Sequence, residues 1–172
     1  NVSIGGGRSE GACNESVLAP GVIALRRMGI ATVFSAGNSR FRDATNSGSS
    51  CIEASVAVGS TTKQDEVSVF SNISPLVAVL APGSDIASSV MGGGFEKFGG
   101  TSMAAPHVTG AFAAIRSRHP TATVDQIEAA LKSTGIMIKD GRPADPDRNL
   151  PPGQHTLPRI RIDLALKALA AP

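Results

Sequence analysis

Residues 99 to 110 read Gly-Gly-Thr-Ser-Met-Ala-Ala-Pro-His-Val-Thr-Gly, and no other stretch constrains the chain as tightly. A small-residue turn delivers one hydroxyl, Ser102, to the start of a helix that then runs apolar from Ala111 to Ile115. Glycines let another backbone come close, and a helix N-terminus favours negative charge. A hydroxyl placed there suits a nucleophile, although serine is also a common helix N-cap. Pro106 falls near the first turn, where proline is tolerated, and His119-Pro120 ends the helix near Arg118.

The segments before it predict a parallel sheet. Asn1 to Ile4 reads as a buried strand ending in Gly5-Gly6-Gly7. Val17 to Met28 reads as an amphipathic helix, with Val17, Ile23 and Leu25 on one side and Gly29 as its stop. Arg26 and Arg27 near its end read as a solvated face. Ile30 to Phe34 is a second buried strand. Strand, helix and apolar strand make a βαβ unit. Further strands are expected at Ala54–Gly59, Leu76–Leu80 and Ile86–Val90, with a hairpin turn at Met91–Gly94. Thr123-Val124-Asp125-Gln126 is a capping box opening a helix to about Thr134. Five of the eleven prolines lie from Pro143 to Pro158, which predicts a surface excursion. Ile160 to Ile162 reads as a strand, and Asp163 as the cap of a last helix. The fold class is α/β: a mostly parallel sheet flanked by helices in three layers.

Composition narrows the function classes. With 172 residues the chain can bury a real core. Aromatic residues make up 3 %, so the core is aliphatic. Net charge is +2 and the arginines are scattered, which does not suit a nucleic-acid surface. No stretch reaches the about 18 apolar residues of a membrane span. The chain opens on a strand-like run without an initiator Met and reads as the later part of a longer polypeptide. Cys13 and Cys51 lie in Gly/Ser-rich loops without zinc spacing, leaving either a disulfide or two free thiols.

Gly100-Thr101-Ser102-Met103-Ala104 lacks the second glycine of the α/β-hydrolase nucleophile elbow. The full Gly-Thr-Ser-Met-Ala-Ala-Pro-His context resembles the nucleophile motif of the subtilisin-like serine proteases. Ser35-Ala36-Gly37-Asn38 resembles that family's oxyanion segment, and Asn1-Val2-Ser3-Ile4-Gly5-Gly6 its substrate-binding strand. Ala57-Val58-Gly59, Phe70-Ser71-Asn72 and Ala81-Pro82-Gly83 match family landmarks in order. The resemblance implies Ser102 as nucleophile and Asn38 as oxyanion donor beside the Ser102 N–H. It implies Ser3, Ile4, Gly5, Ser35, Ala36 and Gly37 as substrate-binding residues. It favours the disulfide between Cys13 and Cys51, and it implies secretion. No cofactor is needed for the chemistry; structural calcium stays open, as does a prodomain.

Triads of this family run Asp, His, Ser along the chain. Here the three histidines, His107, His119 and His155, all follow Ser102. His107 belongs to the nucleophile motif and reads as structural. The resemblance therefore implies that residues 1–172 are the C-terminal portion of a catalytic domain. That portion would be a serine endopeptidase acting on polypeptides only with an upstream Asp/His segment. The alternatives are an inactive fragment that binds peptides, a hydrolase using Ser102 with another base, and a half-domain completed by a separate partner.

Overall fold

The computed structural model describes residues 1–170. In chain order the elements are α1 (Ala19–Arg27), β1 (Val33–Ser35), β2 (Val56–Thr61), β3 (Val79–Pro82), β4 (Ile86–Ser89), β5 (Phe95–Phe98), α2 (Thr101–Arg118), α3 (Val124–Ser133), β6 (Ile136–Lys139), β7 (Thr156–Arg159) and α4 (Ile162–Ala170). The main sheet has the order β1-β2-β3-β7-β6. β1, β2, β3 and β7 run parallel, and β6 is an antiparallel edge. β4 and β5 form a separate antiparallel hairpin.

Alternation along the strands divides the core. Val33, Val56, Val58, Val79 and Ala81 face α2, whose Ala104, Ala105, Val108, Ala111 and Ile115 pack against them, with α3 and α4 behind. Phe34 points to the opposite face and meets Ala19 and Val22 of α1 with Ile52. Leu80, Ala36, Ile73 and Val77 fill the rest of that face. Helices thus cover both faces of a parallel sheet, as the βαβ reading requires. Small side chains on α2 let it lie close to the sheet, and that holds Ser102 near the strand ends.

Several boundaries differ from the sequence reading. Asn1–Ile4 is no buried strand: only Val2 pairs, in one parallel bridge to Phe34, and Ile4 is 60 % exposed. α1 begins at Ala19, because Pro20 sets its first turn. Val17 is 93 % exposed and Leu25 is exposed too; the face that packs is Ala19 and Val22, with Ile23 partly buried against the same cluster. Arg27 is solvated, but Arg26 bonds Asp125 and Glu128 of α3. Burial opposes the Arg26 charge; its hydrogen bonds to Glu128 and then Asp125 outweigh that and raise its pKa.

The capping box at Thr123 and Gln126 forms as expected. The final strand lies earlier than Ile160, at Thr156–Arg159 within the proline-rich segment. It tolerates Pro158 because pairing with β3 starts only at Arg159, so the missing N–H leaves no ladder bond broken there. Asp163 sits inside the first turn of α4, bonded to Arg161, and is not its cap.

Cys13 and Cys51 form a disulfide with Cα atoms 5.3 Å apart, spanning 38 residues and packed against Phe34 and Ile52. Replacing both cysteines with alanine should lower stability by about 2–4 kcal/mol, mainly by freeing the unfolded chain. Thermal unfolding checks this: a fall of roughly 4–16 °C is expected. A shift under about 2 °C would show that packing alone holds the loop.

Candidate active site

Three segments converge at the start of α2. The first is the turn before the helix. Gly100 N donates to Gly83 O at 2.8 Å, fixing that turn against the end of β3. A Cβ on Gly83 would overlap Gly100 O, so only glycine permits this approach. Thr101 then opens the helix, fully buried, and Ser102 follows it, half-buried. Ser102 Oγ makes no hydrogen bond among the described residues, so it caps nothing.

The second segment leaves β1. Gly37 has φ 105°, in the region only glycine enters freely, and swings Asn38 out of the sheet. Asn72 shapes this turn from within. It is fully buried; its Nδ2 donates to Ala36 O (3.0 Å), and its Oδ1 accepts from Ser39 N (2.9 Å) and Phe41 N (3.1 Å).

Thr101 joins the two segments. Its backbone N–H and its hydroxyl both donate to Asn38 Oδ1, each at 2.9 Å. The same hydroxyl accepts from Gly37 N at 3.0 Å. A backbone N–H can bond only the oxygen of a carboxamide, so the Asn38 orientation is fixed by its partners. Its acceptor end is used twice, and Nδ2 is the end left free. The Ser102 N–H lies in the first turn and has no intrahelical acceptor. Two unspent donors, Asn38 Nδ2 and the Ser102 N–H, therefore both lie close to Gly100, at the start of the helix that carries the free hydroxyl.

The third segment is Asn1–Gly7. Ser3 Oγ donates to Ser102 O (3.0 Å), and Ser35 Oγ donates to Ile4 O (3.3 Å). A cavity of about 280 Å³ lies between Gly5–Gly7 and Ser35, Gly37, Asn38 and Ser39, with Asn46 and Thr101 also lining it. Ser3, Ile4 and Ala36 do not line it. Ala36 faces the core with its carbonyl taken by Thr45 Oγ1, Asn72 Nδ2 and the Asn46 N–H, and the Ile4 side chain is exposed. A second cavity of about 350 Å³ lies on the other side of Ser102, between Ile86–Ser88 of β4 and Met103, Pro106 and His107 of α2.

No histidine reaches Ser102 among the described residues. His107 bonds Met103 O, His119 bonds Leu166 O, and His155 bonds Asp43. No group of three or more His, Cys, Asp or Glu among the described residues is placed to hold a metal ion. No helix among them is long and apolar enough to cross a membrane.

A free serine hydroxyl at a helix start, beside two unspent N–H donors and a cleft, has the geometry of a serine hydrolase half-site. The family model of the subtilases matches residues 1–156, and the chain belongs to that family. It is 38 % identical over 133 residues to alkaline serine exoprotease A of Vibrio alginolyticus, covering 77 % of this chain and 24 % of that protein. It is 43 % identical over 110 residues to subtilisin-like protease 4 of Trichophyton equinum, covering 64 % of this chain and 26 % of that one. Among solved structures it superimposes on a cold-adapted subtilisin-like serine proteinase with a TM-score of 0.70 and 28 % identity, over 93 % of this chain and 54 % of that one. The protease domain of PatA matches with a TM-score of 0.76 and 24 % identity, over 99 % and 58 %, and shows the same fold. The chain spans about a quarter of the length of these curated relatives and little more than half of these structures.

Sequence reasoning missed Thr101 as the link between Ser102 and Asn38, and Asn46 in the cleft. It took Asn72 only as a scaffold landmark. The glycines that crowd these side chains were the available signal. A Cβ on Gly37 would overlap both Asn46 and Asn72, and one on Gly100 would press on Asn38 Nδ2.

Proposed function

We propose that residues 1–172 are the nucleophile-bearing later portion of a subtilisin-like serine endopeptidase domain, and that it turns over substrate only with an Asp/His segment from upstream. The observation that carries this is the bonding of Asn38 Oδ1 to Thr101, which leaves Asn38 Nδ2 and the Ser102 N–H unspent beside Ser102 Oγ.

Ser102 Oγ attacks the scissile carbonyl carbon, and its proton passes to the upstream histidine. The carbonyl oxygen becomes an oxyanion and takes hydrogen bonds from Asn38 Nδ2 and Ser102 N–H. The C–N bond breaks as the histidine returns the proton to the leaving amine. Water then attacks the ester on Ser102 by the same route and releases the acid. Gly5–Gly7 and Ser35–Ser39 are the cleft walls that would hold the residue on the acyl side. The disulfide accords with an extracytoplasmic protein.

In the polypeptide that includes the preceding segment, Asn38→Ala should lower kcat by about 10²–10³ with KM little changed. That is the scale reported when subtilisin loses one such donor. Steady-state kinetics on a peptide substrate checks it; a kcat within about threefold of the native value would exclude Asn38 as a donor.

A second reading rests on the histidines, none of which reaches Ser102. In that reading the chain binds peptides in the cleft without cleaving them. Peptide binding by the chain, with no turnover when the preceding segment is present, would establish it.

A further inference from the structure

The Asn46 carboxamide takes no part in the steps above, yet it lines the cleft and is almost wholly enclosed. It is 4 % exposed. Its backbone N–H is held by Ala36 O (3.1 Å) and Ser50 Oγ (3.2 Å), and its Nδ2 donates to Ser35 O (3.3 Å). It is wedged between Gly5 and Gly37, glycines from opposite walls, and a Cβ on either would overlap it. The side chain therefore has one position available. Turning the amide over would set Oδ1 against the Ser35 carbonyl oxygen, two acceptors facing each other. In the orientation that remains, Oδ1 accepts no hydrogen bond from any described residue.

The surroundings sharpen this. The cavity is walled by glycine backbone and by Ser35, Ser39, Asn38 and Thr101; no charged side chain and no large apolar side chain lines it. An aliphatic substrate side chain there would find little apolar surface and would shut Oδ1 away from water unbonded. A lysine would bury its charge without a counter-charge, and a carboxylate would face Oδ1 with lone pairs. A neutral N–H donor meets the one open requirement of the site.

We propose that Asn46 is the specificity-determining residue of the cleft, and that the substrate residue on the acyl side of the scissile bond carries a carboxamide side chain. The carboxamide N–H bonds Asn46 Oδ1, and its oxygen is left to the Ser39 hydroxyl at the rim. This rests on the reading of Gly5–Gly7 and Ser35–Ser39 as the walls of a peptide cleft.

The test is an NMR titration of the chain with blocked tetrapeptides: three alanines followed by glutamine, leucine, lysine, glutamate or alanine. The glutamine peptide should bind at least about tenfold tighter than the leucine peptide, because a site built to bond an N–H rejects the analogue without one, and tighter than the lysine peptide, whose charge would be buried without a counter-charge. Asn46→Ala should abolish that advantage, bringing the glutamine and leucine peptides to within about twofold of each other. Asn46→Asp, nearly isosteric, should instead give the lysine peptide the advantage; this variant keeps the test alive if the alanine variant does not fold. Equal affinities for glutamine and leucine would overturn the role of Asn46. So would a glutamine advantage that survives Asn46→Ala, or an Asn46→Asp chain that gains nothing for lysine. Each of these leaves the cleft reading standing. Failure of every peptide to bind, the all-alanine one included, would overturn the cleft reading and this proposal with it.

Discussion

Ser102→Ala is expected to abolish peptide hydrolysis by the completed domain, with a fall in kcat of about 10⁶. That is the scale known from subtilisin when its nucleophile is removed. The fall should come with almost no loss of stability. Ser102 Oγ makes no cap bond, and the turn before it is held by Gly100 N to Gly83 O and by Thr101 to Asn38. A surface substitution away from such contacts changes stability by within about 0.5 kcal/mol, or roughly 2 °C in thermal midpoint. Kinetics and a melting curve on the same preparation test both halves. A variant that keeps a tenth of its activity would exclude Ser102 as nucleophile. One that loses activity through a large drop in Tm would make Ser102 structural.

Arg142→Ala should cause the largest loss of stability, about 3–5 kcal/mol, because it strands a buried charge. Asp140 is 1 % exposed and is paired in two-point fashion with the Arg142 guanidinium, Nε to Oδ1 at 2.7 Å and Nη2 to Oδ2 at 2.6 Å. Nη1 of the same arginine also donates to Ser71 O at 2.6 Å and Val69 O at 3.2 Å. Lysine cannot reproduce that planar fork, so Arg142→Lys should recover little. One effect opposes the loss. Burial, and next the nearby Arg142 charge, lower the pKa of Arg42, and removing Arg142 relieves the second of these. The expected value therefore lies toward the lower end, with Tm falling by about 6–12 °C. A loss under about 1 kcal/mol would mean that Asp140 finds another partner or water. Because Arg142 holds the turn that leads into Asn72, peptide binding should weaken in parallel.

How much of this was legible depended on distance along the chain. Ser102 and Asn38 could be found because each sits in a short run whose neighbours are themselves constrained: two glycines and a helix start for one, a buried strand and a glycine for the other. The parallel sheet could be read because Val33, Val56, Val58 and Val79 stand in apolar runs. Thr101 could not, since nothing in its own neighbourhood shows that residue 38 will meet it; the pairing exists only after 63 residues are folded back. Asn46 and Asn72 were hidden the same way. They look like loop residues, and they are buried because glycines on distant segments leave room for them. β5 was missed because Phe95-Glu96-Lys97-Phe98 has an exposed, charged face and pairs with one partner only. β6 was missed because Ile136–Lys139 follows a helix stop directly and sits at the sheet edge. Asn1–Ile4 was overread because apolar residues near a chain end resemble a buried strand whether or not a second neighbour is present.

The most direct test of the central claim is to react Ser102 with a fluorophosphonate. The reaction would be followed by mass spectrometry on the chain alone and on the polypeptide that includes the preceding segment. The account predicts fast, selective labelling of Ser102 in the longer polypeptide and very slow labelling in the chain alone, since the base that activates the hydroxyl comes from upstream. Equal rates in the two, or fast labelling at a serine other than Ser102, would contradict it.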